Sequence, residues 1–219
     1  MNKEQFKEEL KKLNIELTKK QEQQLEKYYE LLIEENKKTN LTRITQKDEV
    51  YLKHFYDSLT ITKVIDLNQN LSLIDIGTGA GFPGLVLKIV YPTLNITLLD
   101  SLNKRIEFLN KVIKELNLKN IKTVNSRIED YQKETFDIVT SRAVAKTNIL
   151  LELSCKLPKT NGYFIFLKAN IEEELKESQN AIKELNLTIE KKETFNLPIE
   201  NSQRTILKLK QRFEELYKQ

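Results

Sequence analysis

The stretch LIDIGTGAGFPGLVLKIVYP, residues 73–92, decides the fold. It holds four of the five glycines in this chain of 219 residues, at positions 77, 79, 81 and 84. A short apolar run precedes the glycines, and a longer one follows Pro83. Proline suits the first turn of a helix, because its φ is already fixed and its missing N–H would have no partner there. The pattern predicts a buried strand, a glycine turn and a helix through Val90.

The glycine turn has two interpretations. From Gly79, the letters GAGFPG fit the dinucleotide fingerprint G-x-G-x-x-G. From Asp75, the letters DIGTGAG fit the D-x-G-x-G loop that holds S-adenosylmethionine. Both interpretations need an acid at the end of the second strand for a ribose hydroxyl. Asp100, which ends NITLLD, satisfies either one, so spacing alone leaves both open.

The rest of the chain predicts an α/β fold. Residues 1–68 read as an N-terminal helical extension, and residues 69–219 as a core packed with it in one structural unit. In the core, apolar runs at 71–76, 95–100, 121–125, 136–141 and 162–169 alternate with helical patterns, which is typical of a Rossmann-like, mostly parallel sheet. Two last strands, near 187–195 and 204–210, have no helical pattern between them and are expected to pair antiparallel. Seven strands with an antiparallel last strand are typical of a methyltransferase sheet.

Composition excludes several classes of function. No apolar run approaches the roughly 18 residues that span a bilayer, and the N-terminus lacks the apolar segment of a secretory signal. We therefore expect a cytoplasmic protein without a membrane partner. One cysteine and one histidine exclude an intramolecular disulfide and a cluster of these residues around a metal, so no metal is expected. Cys155 lies in an apolar helical pattern and is predicted to be a packed core thiol.

The positive charge is unevenly distributed. Residues 100–127 hold seven basic and three acidic side chains, a surplus equal to the formal net charge of +4. A basic segment attracts a phosphate backbone. A solvated helix face in a lysine-rich protein is the other interpretation, and charge alone does not choose between them.

Three features favour S-adenosylmethionine over a dinucleotide. The strand pair that ends the sheet is one. The absence of a Tyr-x-x-x-Lys pair, with the only histidine, His54, preceding the fold, is another. The third is SRIED (126–130), where the backbone of Ile128 and Glu129 can meet an adenine edge. Ser126 and Glu129 also fit a helix capping box, which is compatible with that role.

The end of the fourth strand bears on the reaction. SRAVA (141–145) brings Ser141 and Arg142 to the mouth of the site, where we favour a functional role for Arg142 over a surface ion pair. An Asn/Asp-Pro-Pro-aromatic motif for amino methylation does not occur in the chain. Cys155 is misplaced as the nucleophile that pyrimidine carbon methylation needs. Acceptors that are already nucleophilic remain, and N7 of guanine is one of them.

Several motifs together resemble one known family. They are NLT (40–42), HFYDS (54–58), DIGTGAGFPG (75–84), LLDSLNKR (98–105), SRIED and TSRAVA (140–145). The chain resembles, over about residues 25–210, the bacterial small-subunit rRNA guanine-N7 methyltransferases, the RsmG or GidB family. The resemblance implies methyl transfer from S-adenosyl-L-methionine to one guanine of 16S rRNA, free or in a small-subunit particle, with S-adenosyl-L-homocysteine as product.

The resemblance also assigns residues, to which Asp100 is added on the ribose argument. The predicted cofactor positions are Gly77, Gly79, Phe82, Asp100, Ile128, Glu129 and Arg142. Arg142 is also the predicted catalytic residue, between cofactor and guanine. The predicted RNA contacts are Lys104, Arg105, Lys168 and His54, and for His54 a structural hydrogen bond against the sheet is an equal alternative. Asp57 and Ser58 match the family motif without an assigned role.

We expect a monomer. Two other functions compete with the methyltransferase. One is an NAD-dependent oxidoreductase, from the GAGFPG match, and the other is a non-catalytic RNA-binding protein that keeps the methyltransferase fold.

Overall fold

A seven-stranded sheet organises the computed structural model, which describes residues 1–142 and 144–212. The strands are β1 (Ser72–Ile76), β2 (Asn95–Asp100), β3 (Ile121–Asn125), β4 (Phe136–Arg142), β5 (Pro158–Lys168), β6 (Leu187–Asn196) and β7 (Gln203–Gln211). The N-terminal helices are α1 (Lys3–Lys12), α2 (Lys19–Thr39), α3 (Lys47–Val50), a π-helical segment (Tyr51–Tyr56), α4 (Asp57–Leu59) and a 3₁₀ turn (Thr60–Lys63). The later ones are α5 (Gly84–Val90), α6 (Asn103–Glu115), a 3₁₀ turn (Ile128–Asp130), α7 (Thr147–Ser154), α8 (Glu172–Glu177) and α9 (Gln179–Glu184).

The strand order is β3-β2-β1-β4-β5-β7-β6. The first five strands pair parallel, whereas β7 runs antiparallel to both β5 and β6. The predicted fold class is therefore confirmed, and the bounds predicted for the second and third strands coincide with β2 and β3. Because β1 is central, the carboxyl ends of β1, β2 and β4 meet at one edge, where open α/β sheets bind ligands. The predicted core ends at residue 219, and residues 213–219 lie outside the described residues, as does Ala143 of the SRAVA motif.

Both faces of the sheet are covered, which explains why β1 reads as a continuous apolar run. Leu73 packs in one hydrophobic cluster, with the N-terminal helices, α5 and α6. Ile74 and Ile76 pack in the other, with side chains of α7 and α9. Successive side chains of a strand point to opposite faces, so one strand feeds both clusters.

The N-terminal extension is tied to the core through the ends of core helices. Gln21 donates from Nε2 to the carbonyl oxygens of Ile89 and Val90 in the last turn of α5, at 3.1 and 2.9 Å. Gln24 donates in the same way to the carbonyl of Leu116 after α6, at 3.0 Å. The last carbonyls of a helix have no partner within it. Helix α2 therefore stabilises the core by satisfying these groups.

The segment that carries His54 is irregular. The sequence predicts one helix that follows a cap at Thr45 and runs to about Val64, but the structure changes from α-helix to π-helix at Tyr51–Tyr56 and to 3₁₀ at Thr60–Lys63. His54, Phe55 and Tyr56 are all buried. Single-turn π segments are rare and occur often at functional sites. Here the wider turn accompanies a buried histidine.

Two local predictions are wrong. Cys155 is exposed rather than packed, because α7 ends at Ser154 and the buried face of that helix is carried by Leu150, Leu151 and Ser154. The capping box at Ser126 does not form, because its hydroxyl bonds to the carbonyl of Arg127 and the following turn is 3₁₀. Across residues 1–142 and 144–212, no helix combines the length and apolar character that crossing a membrane demands.

Candidate functional site

The glycine loop lies between β1 and α5 at the predicted edge of the sheet. Gly77, Gly79 and Gly81 have φ of +62°, +61° and +105°, in the left-handed region that disfavours residues with a Cβ. A Cβ on Gly77 would lie 2.6 Å from Cγ2 of Val144. Gly79 has no such neighbour within 4 Å. Backbone conformation therefore favours glycine at both 77 and 79, and at 77 a Cβ would in addition displace the side chain of Val144.

Asp75 holds the loop from beneath. Its Oδ2 accepts hydrogen bonds from the Thr78 hydroxyl at 2.6 Å and from the Gly84 amide at 2.8 Å. Burial raises the pKa of Asp75 to about 7, although these two hydrogen bonds oppose the shift. Its Oδ1 is buried and has no hydrogen-bond partner among the described residues. The first acid of the motif therefore shapes the loop rather than facing the cavity beside it.

Asp100 ends β2 next to this loop. Its Oδ2 accepts from the Gly79 amide at 2.9 Å, and its Oδ1 accepts from the Leu102 amide at 3.0 Å. Arg105 forms an ion pair with Oδ2 at 3.1 Å. The carboxylate is thus fixed by the backbone on both sides. It is held where β1, β2 and the loop converge, as a ribose acceptor must be.

Two cavities share a wall at Asp100. The loop cavity, about 440 Å³, is lined by Leu41, Thr42, His54, Gly77, Thr78, Gly79, Ala80, Phe82, Asp100, Ser101, Arg105, Arg142 and Val144. The 128–129 cavity, about 260 Å³, is lined by Ile76, Gly77, Leu99, Asp100, Ser101, Ser126, Arg127, Ile128, Glu129 and Val144. The four shared residues, Gly77, Asp100, Ser101 and Val144, make the pair one extended groove along the strand ends.

Arg142 ends β4 and joins the sheet to the extension. Its Nη1 donates to the Lys53 carbonyl at 2.8 Å, and its Nη2 lies 2.9 Å from Nδ1 of His54. Asp57 pairs with Nη1 at 3.4 Å, and the Arg142 side chain is only 15% exposed. Burial lowers the pKa of Arg142, while Asp57 opposes that change. Arg142 lines the loop cavity as predicted, but it is an enclosed ion-paired group and not an open residue at the mouth.

Phe82 lies beneath the cavity in an aromatic stack. Its ring stacks on His54 at 4.3 Å between centroids and on Tyr28 at 5.5 Å. The guanidinium of Arg142 lies 5.1 Å from its centroid, within the range of a cation–π contact. Tyr28 in turn donates from its hydroxyl to the Ala80 carbonyl at 2.5 Å. Helix α2 thus supports the glycine loop directly.

The four residues predicted to contact RNA differ in how exposed they are and in which groups they already bond. Lys104 is exposed at the start of α6, with Nζ 3.2 Å from the Thr39 carbonyl. Arg105 is half-buried against Asp100. Lys168 is buried, with its ammonium bonded to the Ala145 carbonyl and to Glu174 at 2.8 Å, which does not favour a phosphate contact. His54 makes the predicted hydrogen bond to the sheet, at Arg142, and it also lines the loop cavity; its contact with RNA stays a prediction.

Asp57 and Thr42 also help to build the site, although the sequence assigned no role to either. Asp57 accepts from Arg142 and also from Nε of Arg204 at 3.2 Å, so it joins β4 to β7. The Thr42 hydroxyl lies 2.9 Å from Nε2 of His54. The NLT and HFYDS motifs were the available signal, but only the packing of the extension on the sheet shows which groups meet.

The fold and the groove define a class of protein. A sheet of this order with antiparallel β7, a glycine loop after β1 and an acid ending β2 belong to the S-adenosylmethionine-dependent methyltransferases. Residues 21–206 match the GidB family, described as rRNA small subunit methyltransferase G. The chain belongs to this family, and the resemblance seen in the sequence is confirmed.

Individual proteins agree with this assignment. The chain is 47% identical over 212 residues to a ribosomal RNA small subunit methyltransferase G of Staphylococcus carnosus, covering 94% of this chain and 88% of the relative. It is 48% identical to the protein of that name from Oceanobacillus iheyensis, covering 94% and 90%. Among solved structures, a SAM dependent methyltransferase from Aquifex aeolicus superposes with a TM-score of 0.59 at 15% identity, covering 78% of this chain and 97% of that one. At that identity the match bears on the fold.

The groove fits S-adenosylmethionine by three observations. Gly77 forms a cradle that a Cβ would fill, next to Val144 on the wall shared by the two cavities. The Asp100 carboxylate, which lies on that wall, can accept from ribose hydroxyls. Ile128 and Glu129 line the far end, where the adenine would lie.

Proposed function

We propose that this protein transfers a methyl group from S-adenosylmethionine to N7 of one guanine in 16S rRNA. Bound S-adenosylmethionine supplies a sulfonium methyl; the N7 lone pair forms the new C–N bond while the electron pair of the breaking C–S bond stays on sulfur. The products are S-adenosylhomocysteine and a guanine with a positively charged, methylated imidazole ring. The task of the protein is to align these atoms and exclude water.

The main support for this proposal is that every titratable side chain lining the described part of the loop cavity already forms a hydrogen bond or an ion pair within the protein. Asp100 is held by two amides and Arg105, and Arg142 is bonded to His54, Asp57 and the Lys53 carbonyl. Burial and the charge of Arg142 lower the pKa of His54 to about 3, so its ring is a poor base. A cavity without a disengaged base suits an acceptor that needs no deprotonation. N7 of guanine carries such a lone pair at neutral pH.

The residues divide between the two ligands. Gly77, Gly79 and Asp100 would hold the methionine and ribose parts, and the backbone at Ile128 and Glu129 the adenine. Lys104 is an exposed cation close to the strand ends that would contact RNA phosphate. A cytoplasmic monomer, acting where ribosomes are assembled, completes the proposal; sedimentation of the purified protein would check the monomer.

Radiolabelling tests the function. The protein is incubated with tritiated S-adenosylmethionine and either unmodified 16S rRNA transcript or small-subunit particles lacking the modification. We expect label on a single guanine, released as N7-methylguanine, and no label with a Gly77→Val control. Binding of S-adenosylhomocysteine without labelling of either substrate would instead favour the non-catalytic RNA-binding protein. Tight calorimetric binding of NADH alone would favour the oxidoreductase.

A further inference from the structure

The hydroxyl of Thr42 is oriented by a relay that begins at Arg142. A guanidinium group only donates hydrogen bonds. Because Nη2 of Arg142 lies 2.9 Å from Nδ1 of His54, Nδ1 must be the acceptor. The ring proton of His54 is therefore on Nε2. The burial of the ring and its lowered pKa agree with a neutral imidazole, and the Arg142 contact selects the tautomer.

The relay uses both lone pairs of the Thr42 oxygen. Nε2–H of His54 donates to Oγ1 at 2.9 Å, and the Ile44 amide donates to the same oxygen at 3.1 Å. A hydroxyl accepts two hydrogen bonds and donates one. The O–H donor of Thr42 is still available, because no acceptor for it occurs among the residues that the structure describes. Thr42 lines the loop cavity, so a ligand there meets a group that can only donate.

The position of Thr42 favours the acceptor base over the cofactor as its partner. The loop cavity is lined by Gly77, Gly79 and Asp100 from the core, which would hold the cofactor, and by Thr42 and His54 from the extension. Guanine presents O6, an acceptor, beside N7 on one edge, whereas adenine presents an amino donor there. A donor-only group at O6 leaves the N7 lone pair untouched and rejects adenine.

We propose that Thr42 donates a hydrogen bond to O6 of the target guanine and makes the enzyme select guanine, with His54 as the positioning residue. This inference rests on the proposed function. It adds the group that reads the base.

The proposal is tested by combining substitutions of Thr42 with replacements of the target base, in the manner of a double-mutant cycle. The target position, located by the radiolabelling experiment, is replaced in ligated 16S rRNA by 2-aminopurine, which keeps N7 but lacks O6, or by inosine, which keeps both. The kcat/KM ratio of guanine to 2-aminopurine is measured for wild type, Thr42→Val and Thr42→Ser. Comparing ratios cancels the different intrinsic reactivity of the bases. Thr42→Ala serves as a second variant if the valine does not fold.

We expect the guanine preference to fall roughly fivefold to tenfold in Thr42→Val, the effect of one neutral hydrogen bond. Thr42→Ser should keep it, and the ratio of guanine to inosine should be unchanged throughout. An unchanged guanine to 2-aminopurine ratio in Thr42→Val overturns the proposal. So does weaker S-adenosylhomocysteine binding with equal loss on both bases, which would assign the hydroxyl to the cofactor. Failure of wild type to label any guanine would instead contradict the proposed function itself.

Discussion

Replacing Arg142 separates its two roles, since it both lines the cavity and closes a buried contact between extension and sheet. Arg142→Ala removes the hydrogen bonds to the Lys53 carbonyl and to His54, together with the ion pair to Asp57. From the sequence alone, this variant is expected to lose most of its activity without unfolding, because the residue was placed at the mouth of the site and not in the core. The buried contacts of Arg142 add a measurable loss of stability to that expectation.

The expected loss of stability depends on which interactions the former partners of Arg142 keep in the variant. Removing one member of a buried ion pair costs about 3–5 kcal/mol when the other charge is left alone. Asp57 keeps its ion pair with Arg204 at 3.2 Å, so its charge is still compensated. The Lys53 carbonyl and Nδ1 of His54 each lose a donor, at about 1 kcal/mol or more apiece. We expect a total loss of about 2–3 kcal/mol, which lowers Tm by about 5–10 °C in a chain of this length.

Activity should fall further than stability. Arg142 holds the His54 ring and lies over Phe82, and all three line the loop cavity. A displacement of about 1 Å at such a site can cost on the order of 10²-fold in rate. Arg142→Lys can keep the charge beside Asp57 but not the two divergent donor contacts. It should regain part of the stability and little of the activity.

The assay combines thermal melts with methyl transfer well below the Tm of the weakest variant. Arg204→Ala is the matched control, because it removes the other arginine from Asp57 and does not line the cavity. Equal Tm values for Arg142→Ala and wild type would refute the buried-contact argument. An equal loss of activity in Arg204→Ala would show that Arg142 acts only through Asp57.

Three further predictions concern the loop and its acids. Gly77→Ala should abolish S-adenosylhomocysteine binding measured by calorimetry, whereas Gly79→Ala, strained at φ +61° but without a clash, should only weaken it; equal effects would contradict the cradle. Asp100→Asn should weaken the same binding by about tenfold or more through the ribose, and it should also cost about 1–3 kcal/mol of stability, because its NH2 group cannot accept from the Gly79 or Leu102 amide that the lost carboxylate oxygen served. Unchanged affinity in the folded variant would remove Asp100 from the cofactor site. The third prediction concerns the pH dependence of stability measured by denaturant unfolding. The raised pKa of Asp75 stabilises the folded state below pH 3.8, the ordinary pKa of aspartate, and this contribution is lost as the pH rises to about 7. The lowered pKa of His54 stabilises the folded state above pH 6.5, the ordinary pKa of histidine, and this contribution is lost as the pH falls towards 3. Asp75→Asn should therefore make stability rise more with pH across this window and His54→Gln should make it rise less, and identical pH profiles would contradict both assignments.

The sequence predicted the features of the fold and site that depend on residues close together in the chain. Strand β2 lies where its apolar run placed it, because a strand buried on both faces needs a continuous apolar segment. Strand β3, at the edge of the sheet, also has the predicted bounds, although its residues are only partly buried or exposed. Gly77 and Asp100 lie at strand ends whose common edge follows from parallel pairing alone. The capping box at Ser126 and the packing of Cys155 failed for a related reason. Both depend on where a helix turn ends, which the local pattern leaves open by a residue or two.

What the sequence could not predict requires contacts between distant segments. His54 and Arg142 are 88 positions apart, yet their hydrogen bond fixes the tautomer on which the Thr42 contact depends. The π-helical segment that carries His54 has no sequence signal comparable to a glycine or proline. The burial of Lys168 likewise depends on Glu174 of α8.

The division of the site has a consequence for specificity. The core supplies the loop and the acid for the cofactor, but Tyr28 and Gln21 of α2 hold the Ala80 carbonyl and the end of α5. The extension is therefore required by the cofactor half as well as by the half that faces the base. A core truncated before β1 would lose support on the loop itself. For this reason base selection is better tested by single substitutions such as Thr42→Val, compared with Thr42→Ser, which keeps the hydroxyl, than by removing the extension.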